Sequence, residues 1–303
     1  MRPRLLTALV ATIGLLAAGV ACTPSARTHI VVTTNILGDV VREIVGDEAR
    51  VTVLMKPNAD PHSFAISARE ARTMQTADLL VYNGLGLEEG VLRHVEAAKD
   101  ADVPTVEVGA RADPIEYQDG DAAGLPDPHF WTDPIRMQTA VRLLADEIVE
   151  HVDGVDADVV RQRAKSYQVE LGELSRELAT GFAGIPADRR VLVTNHHVFG
   201  YLAARYDLTV VGTIIPSGTT LASPSASDLA SLTTAIKTHR VRAIFADTSQ
   251  PARLAEVLAS SARVTVRVIA LYSESLSEAD GEAASYLAMM RFNTDAILDG
   301  LTG

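Results

Sequence analysis

The chain is almost without cysteine. Cys22 is the single cysteine among 303 residues. An intrachain disulfide is therefore excluded, and so is a metal site built on several thiolates. Any metal site in this chain must be made of histidine and carboxylate side chains.

The chain also has few basic residues relative to acidic ones. The chain has 27 basic and 39 acidic residues, a net charge of -12. A protein that binds nucleic acid needs basic side chains against the phosphates, so the balance argues against nucleic acid and favours a cation as ligand. The sequence also lacks His-Glu-x-x-His, Gly-x-Ser-x-Gly and a glycine-rich phosphate loop, which removes the usual motifs of three enzyme classes.

The first residues predict export. Arg2 and Arg4 precede an uncharged run of 17 residues, Leu5 to Ala21, which is too short to span a membrane comfortably. The run ends at Gly19-Val20-Ala21-Cys22, which is similar to a bacterial lipobox except that Gly19 replaces a larger aliphatic residue. We expect residues 1–21 to be a lipoprotein signal peptide and Cys22 to be the lipidated N-terminus. A plain secreted protein is the alternative, and either cleavage leaves a net charge near -14.

The remaining chain alternates short apolar runs with amphipathic segments, which is typical of an α/β protein. At this length two cores are expected. Residues 157–183 carry apolar side chains at spacings of three and four and predict one long rigid α-helix that joins two βα lobes. The predicted division is 22–152 for the N-terminal lobe, 153–186 for the linking helix and 187–303 for the C-terminal lobe.

Several local predictions follow from the same patterns. We expect helices at 87–98, 134–151, 225–239 and 278–300, and strands at 103–108, 191–194, 208–213 and 264–271. The acidic segment 111–128 is expected to be a mobile surface loop. Four histidines at element ends or on charged faces are expected at the surface: His29, His94, His151 and His239.

One motif occurs twice. Asp60-Pro61-His62 and Asp127-Pro128-His129 each place a histidine after a proline and before an aromatic residue. Proline stiffens the turn, and a neutral imidazole held in fixed geometry is the commonest metal ligand. His196 or His197 and Glu274 also follow predicted strands, so four strand-end positions, two per lobe, carry candidate metal ligands. Asp247 ends another strand, as an acceptor that supports a ligand or as a rival carboxylate.

Four segments together resemble the zinc- and manganese-binding receptors, solute-binding lipoproteins, of bacterial ABC importers: Asp60-Pro61-His62, Asp127-Pro128-His129-Phe130-Trp131, Asn195-His196-His197-Val198-Phe199-Gly200-Tyr201 and Tyr272-Ser273-Glu274-Ser275-Leu276. The resemblance spans essentially the whole chain after Cys22. It implies two βα lobes fixed by one long helix, with one metal ion between them. It also implies the ligands His62, His129, His196 and Glu274, with His197 as a neighbour. The implied protein is a monomer tethered outside the cell membrane that serves a permease and its ATPase.

Two departures leave alternatives open. The usual fourth ligand in that family is Asp, so the longer Glu274 could bind through one oxygen or two. Manganese-type members generally have a carboxylate where His196 stands, so we expect Zn²⁺, with Mn²⁺ as the alternative. A metal-binding adhesin of the same fold stays open. A zinc hydrolase would need an open coordination position for water, which four protein ligands do not leave unless Glu274 acts as a base.

Overall fold

The computed structural model describes residues 28–118, 120–261 and 265–303. The predicted signal peptide and Cys22 lie outside the described residues. In the part of the chain that is described, no helix combines the length and the apolar character needed to cross a membrane.

The first half is a four-stranded parallel sheet with helices between the strands. Its elements are β1 (His29–Val32), α1 (Asn35–Val45), β2 (Arg50–Val53), α2 (Ala68–Met74), β3 (Leu79–Tyr82), α3 (Leu92–Lys99) and β4 (Thr105–Glu107). The strand order is β2-β1-β3-β4. All neighbouring strands are parallel, so their carboxyl ends lie along one edge of the sheet.

The second half repeats this arrangement. Its elements are β5 (Val191–Thr194), α6 (Gly200–Tyr206), β6 (Thr209–Thr213), α7 (Ala226–Thr238), β7 (Ala243–Asp247), α8 (Arg253–Ser261) and β8 (Arg267–Leu271). The strand order β6-β5-β7-β8 is that of the first sheet, shifted by four strands. The ends of both sheets can therefore present loops to one cleft.

Three longer helices complete the fold: α4 (Pro134–His151), α5 (Ala157–Ala183) and α9 (Tyr286–Thr302). With 27 residues, α5 is about 40 Å long. It packs against α1 and α4 of the first half and against α9 at the end of the chain. One apolar core runs from Ile30 through Leu171 to Ile297, so a continuous packed core fixes the two halves to the helix. The predicted architecture of two βα lobes and one long joining helix is confirmed.

Some element boundaries were wrong. Helix α3 begins at Leu92 instead of 87, because a second turn at 89–91 follows the turn formed by residues 84–86, which have positive φ angles. Helix α9 begins at Tyr286 instead of 278, where the Ser285 hydroxyl caps its first turn. Strands β4 and β8 are shorter than the ranges 103–108 and 264–271.

Helix α6 was not predicted. It has only seven residues and starts at a glycine, so it carries little periodic signal. It nevertheless joins the two halves, because Arg205 donates hydrogen bonds to both oxygens of Asp133, the buried N-cap of α4.

Two surface predictions also need correction. Segment 111–128 is exposed over most of its described residues, as expected, but the side chains of Tyr117, Ala122 and Asp127 are buried, and Tyr117 contacts Gly218 of the second half. His29 is buried in β1, where its Nε2 lies 2.8 Å from the Thr52 hydroxyl. The His29 ring is directed toward β2, the neighbouring strand, and so is covered from solvent.

Candidate metal centre

The two Asp-Pro-His motifs form the same local structure. In the first, Asp60 Oδ1 accepts a hydrogen bond from the His62 backbone N–H at 2.9 Å. In the second, Asp127 Oδ1 accepts one from the His129 backbone N–H at 2.9 Å. Each aspartate thereby closes a tight turn that fixes the histidine two residues later.

His129 receives a second support. Asp127 Oδ1 lies 2.7 Å from His129 Nδ1, so the proton belongs on Nδ1 and the Nε2 lone pair points away from the aspartate. We predicted that His129 lies at a strand end. It does not, because the long segment after β4 separates it from the sheet. It precedes a 3-10 turn at Phe130–Thr132, and α4 follows.

His196 and Glu274 do follow strands of the second sheet. His196 comes after β5, where the Thr194 hydroxyl donates to the His196 carbonyl oxygen at 2.8 Å. Glu274 comes after β8, and its N–H donates to Asp247 Oδ2 at 3.2 Å. Asp247 also accepts the N–H of Ser273 at 3.1 Å. Asp247 therefore supports the backbone at Glu274, which is one of the two roles that the sequence suggested. Its carboxylate is not among the clustered side chains.

The four predicted side chains converge on one point. His62, His129, His196 and Glu274 each offer a ligand atom, and these atoms all lie within 4.8 Å of one another. His129 Nε2 is 3.4 Å from the Nε2 atoms of both His62 and His196. Glu274 Oε1 is 2.9 Å from His196 Nε2 and 3.5 Å from His129 Nε2. Ligand atoms at about 2.0–2.1 Å around a tetrahedral Zn²⁺ are about 3.3–3.4 Å apart, so the arrangement suits such an ion.

The cluster is closed to solvent. Its four side chains are at most 1% exposed. Among the described residues, neither oxygen of Glu274 has a hydrogen-bond donor, and the Nδ1 atoms of His62 and His196 have no partner. Buried polar atoms are normally satisfied, so an unsupported buried carboxylate that faces three imidazoles is what a cation site requires.

Burial sets the protonation of these groups. It lowers the pKa of His62 to about 2, with the neighbouring His129 and His196 acting in the same direction. It also lowers the pKa of His129 and of His196. Burial, with the carboxylate of Asp247 behind it, raises the pKa of Glu274 well above its usual range. The imidazoles are therefore neutral and ready to bind a cation, and a divalent ion would favour the charged form of Glu274.

His197 lies beside the cluster but outside it. Its side chain lines a cleft of about 780 Å³ together with Tyr117 and Gly120, and its ring centroid is 6.2 Å from that of Tyr117. The two residues lie in a bend after β5, where adjacent side chains leave the backbone in different directions, which accounts for the difference between His196 and His197.

The aromatic residues after each motif differ in role. Trp131 packs edge-on against His129, with ring centroids 5.2 Å apart, and shelters the imidazole. Phe64 packs instead with the apolar cluster that contains Leu54 and Met74. The supporting roles of Asp60 and Asp127 were missed, although the repeated motif itself carried the signal.

The comparisons with known proteins now bear on this geometry. The profile of the family described as "Zinc-uptake complex component A periplasmic" matches residues 30–300. The chain belongs to this family. The prediction of a substrate-binding receptor rather than an enzyme is confirmed by that membership, since family members are substrate-binding components of ABC importers.

Individual relatives of the zinc-uptake family carry the names of three metals. Over 276 residues the chain is 28% identical to the zinc-binding protein TroA of Treponema pallidum, covering 90% of this chain and 88% of that protein. It is 27% identical over 273 residues to the manganese-binding lipoprotein MntA of Halalkalibacterium halodurans, with coverage of 90% and 88%. It is 26% identical over 274 residues to the iron-binding protein YfeA of Yersinia pestis, with coverage of 90% and 86%. The solved structure of TroA superposes with a TM-score of 0.84 at 26% identity, covering 91% of this chain and 99% of that one.

Proposed function

We propose that this chain is an extracytoplasmic receptor that binds one Zn²⁺ through His62, His129, His196 and Glu274 and delivers it to an ABC permease with its ATPase. The supporting observation is the buried convergence of these side chains, two from each half of the chain, around a carboxylate that has no donor among the described residues. Membership of the zinc-uptake family supports the same role.

The donor atoms favour zinc. Three imidazole nitrogens and one carboxylate form a four-coordinate set for a borderline ion, whereas Mn²⁺ prefers more oxygen ligands and a higher coordination number. Divalent-ion affinity also rises from Mn²⁺ to Zn²⁺ for such sites. Manganese is the second candidate, because both oxygens of Glu274 are free of donors and could bind the ion together.

A competition titration tests the metal. Purified protein stripped by a chelator should bind one Zn²⁺ at neutral pH, and Zn²⁺ should displace Mn²⁺ at equal free-ion concentrations. His62→Ala should lower zinc affinity by at least a hundredfold, while His151→Ala, on an exposed position of α4, should leave it unchanged. Preference for Mn²⁺ at equal free-ion concentrations would replace zinc with manganese in this proposal.

Delivery and location need separate tests. We propose that Cys22 is lipidated and holds the protein at the outer face of the cell membrane as a monomer, in agreement with the family description as periplasmic. Cys22→Ser should move the protein from the membrane fraction to the soluble fraction. Cells lacking the receptor should recover growth in zinc-poor medium with the natural chain and not with His196→Ala. If His196→Ala restored growth as well as the natural chain does, growth would not depend on metal binding at this site, which would contradict the proposed delivery role.

A further inference from the structure

Residues 216–220 follow β6 in the second half but make contacts with the first half. The Thr219 hydroxyl donates to Glu89 Oε1 at 2.7 Å. The Tyr117 hydroxyl donates to the Gly218 carbonyl oxygen at 3.2 Å. This segment therefore bridges the two halves beside the candidate metal centre.

Asp60 is the most connected carboxylate along this bridge. Its Oδ1 accepts the N–H of His62, and its Oδ2 accepts the hydroxyl of Ser63 at 2.9 Å. The same Oδ2 accepts the Thr220 hydroxyl at 2.6 Å and the Gln250 amide at 2.8 Å. Asp60 is 6% exposed, so the loop that carries His62 is bonded to the second half through a buried carboxylate.

The second copy of the motif serves as an internal comparison. Asp127 Oδ1 contacts Nδ1 of its own histidine, and thereby orients the His129 ring. Asp60 makes no such contact, because Nδ1 of His62 has no hydrogen-bond partner among the described residues. Both aspartates accept the backbone N–H that closes the turn. Their remaining contacts differ: Asp127 orients an imidazole, whereas Asp60 accepts hydrogen bonds from two side chains of the opposite half.

We propose that Asp60, Thr220 and Gln250 form an interlobe clasp that slows metal release. This inference rests on the proposed function of the four clustered side chains. Opening the cleft around His62 separates Asp60 from Thr220 and Gln250 and breaks two hydrogen bonds to a charged acceptor, which adds to the barrier for release. Asp60 is a positioning residue: it lies outside the cluster of ligand atoms and holds the loop of His62 in the closed arrangement.

The clasp predicts a kinetic effect. Thr220 and Gln250 are only half-buried, so Thr220→Val and Gln250→Leu should fold normally. Zinc dissociation into excess chelator, followed by stopped-flow mixing, should be about tenfold faster in each variant and faster still in the double variant. The stoichiometry should not change, and each metal-free variant should melt at a somewhat lower temperature, because the lost bond also stabilises the closed arrangement.

Two further variants separate the hydroxyl from general packing. Thr220→Ser keeps the donor and should restore natural dissociation. Thr234→Val removes an exposed hydroxyl that bonds only within α7, to the Ala230 carbonyl oxygen at 3.0 Å, and should have no effect.

The outcomes distinguish the clasp from the proposed function. Unchanged dissociation in the double variant, with one zinc still bound, overturns the clasp and leaves the receptor role intact. Equally fast release from Thr220→Ser and Thr220→Val also overturns it, because the hydroxyl would then be irrelevant. Failure of the natural protein to bind zinc overturns the proposed function, and the clasp with it.

Discussion

The indole Nε1 of Trp131 donates a hydrogen bond of 2.9 Å to the carbonyl oxygen of Ser273, the residue before Glu274. The same indole ring packs edge-on against His129. One buried side chain from the first half thus contacts a candidate ligand on its own side and the backbone next to a candidate ligand on the other. The relative position of His129 and Glu274 depends on this contact.

Trp131→Phe should therefore weaken both folding and metal binding. The variant keeps an aromatic ring but leaves the Ser273 carbonyl without its donor, which costs about 1–3 kcal/mol. We expect the free energy of unfolding, measured with urea, to decrease by this amount. Zinc affinity should fall roughly tenfold. Tyr167→Phe is the matched control, because the buried Tyr167 hydroxyl has no hydrogen-bond partner among the described residues. Equal zinc affinities in Trp131→Phe and the natural protein would contradict the argument.

Asp127→Asn tests the orientation of His129. The carboxylate favours a proton on Nδ1 and a lone pair on Nε2, and an amide provides this support less well. Removing such a support typically lowers metal affinity about 10–100-fold. The measurement is the same competition titration. An unchanged affinity would show that the Tyr117 hydroxyl, 3.3 Å from the same nitrogen, and packing against Trp131 are enough to orient the ring.

The adjacent histidines should differ sharply. His196→Ala removes a clustered nitrogen and should lower zinc affinity by at least a hundredfold, whereas His197→Ala alters the wall of the neighbouring cleft and should change it less than tenfold. Isothermal titration of the two variants side by side gives the comparison. A larger loss in His197→Ala would reverse the assignment of the ligand.

Gly90 is predicted to be essential for the position of the His62 loop. A Cβ at Gly90 would lie 2.3 Å from the Phe64 carbonyl oxygen, so Gly90→Ala must displace backbone two residues after His62. We expect a loss of about 1–3 kcal/mol in unfolding free energy and weaker zinc binding.

Gly172→Ala is the control for Gly90→Ala. A Cβ there would meet only the end of the flexible Gln138 side chain, at 3.0 Å. The gain in helix propensity of about 0.5–1 kcal/mol opposes the displacement of the Gln138 amide, which donates to the Gln168 carbonyl oxygen at 2.6 Å, so stability should change little. Similar losses in both variants would mean that the close approach to Phe64 is unimportant.

His29 should make the metal-free protein sensitive to acid. Burial, and then the charge of Arg50, lower the pKa of His29 below its ordinary value. The unfolded chain therefore binds the proton more readily than the folded protein, and stability is lost as pH falls through about 6.5 and below. His29→Gln should lose less melting temperature than the natural protein between pH 7.5 and pH 5. Parallel decreases in the two proteins would count against this role of His29.

The elements predicted well are those with strong local signals. Helices α4 and α5 have long apolar periodicity and caps in sequence, Pro134 with Asp133 and Asp156, and their ranges agree with the prediction. The capping box of Ser225 and Asp228 likewise marks the start of α7. Helix α6 was missed because a seven-residue segment has too few turns to show a period. His29 was misplaced because its burial depends on a neighbouring strand and not on its own surroundings in sequence.

The site shows the same limit. Its four side chains follow from repeated and family-like motifs, and the structure brings them together. The contacts that support them join residues far apart in sequence, for instance Asp60 with Gln250 and Trp131 with Ser273, which are separated by 190 and 142 positions. No local pattern encodes such pairs, since they depend on how the two halves pack.

The division of the cluster between the halves has a consequence for biogenesis. Residues up to α5 supply only His62 and His129, and the other two side chains come after α5. If these four side chains hold the ion as proposed, a chain that has been made only as far as α5 cannot bind it. The proposed site is complete only after β8, the last strand, because Glu274 follows that strand.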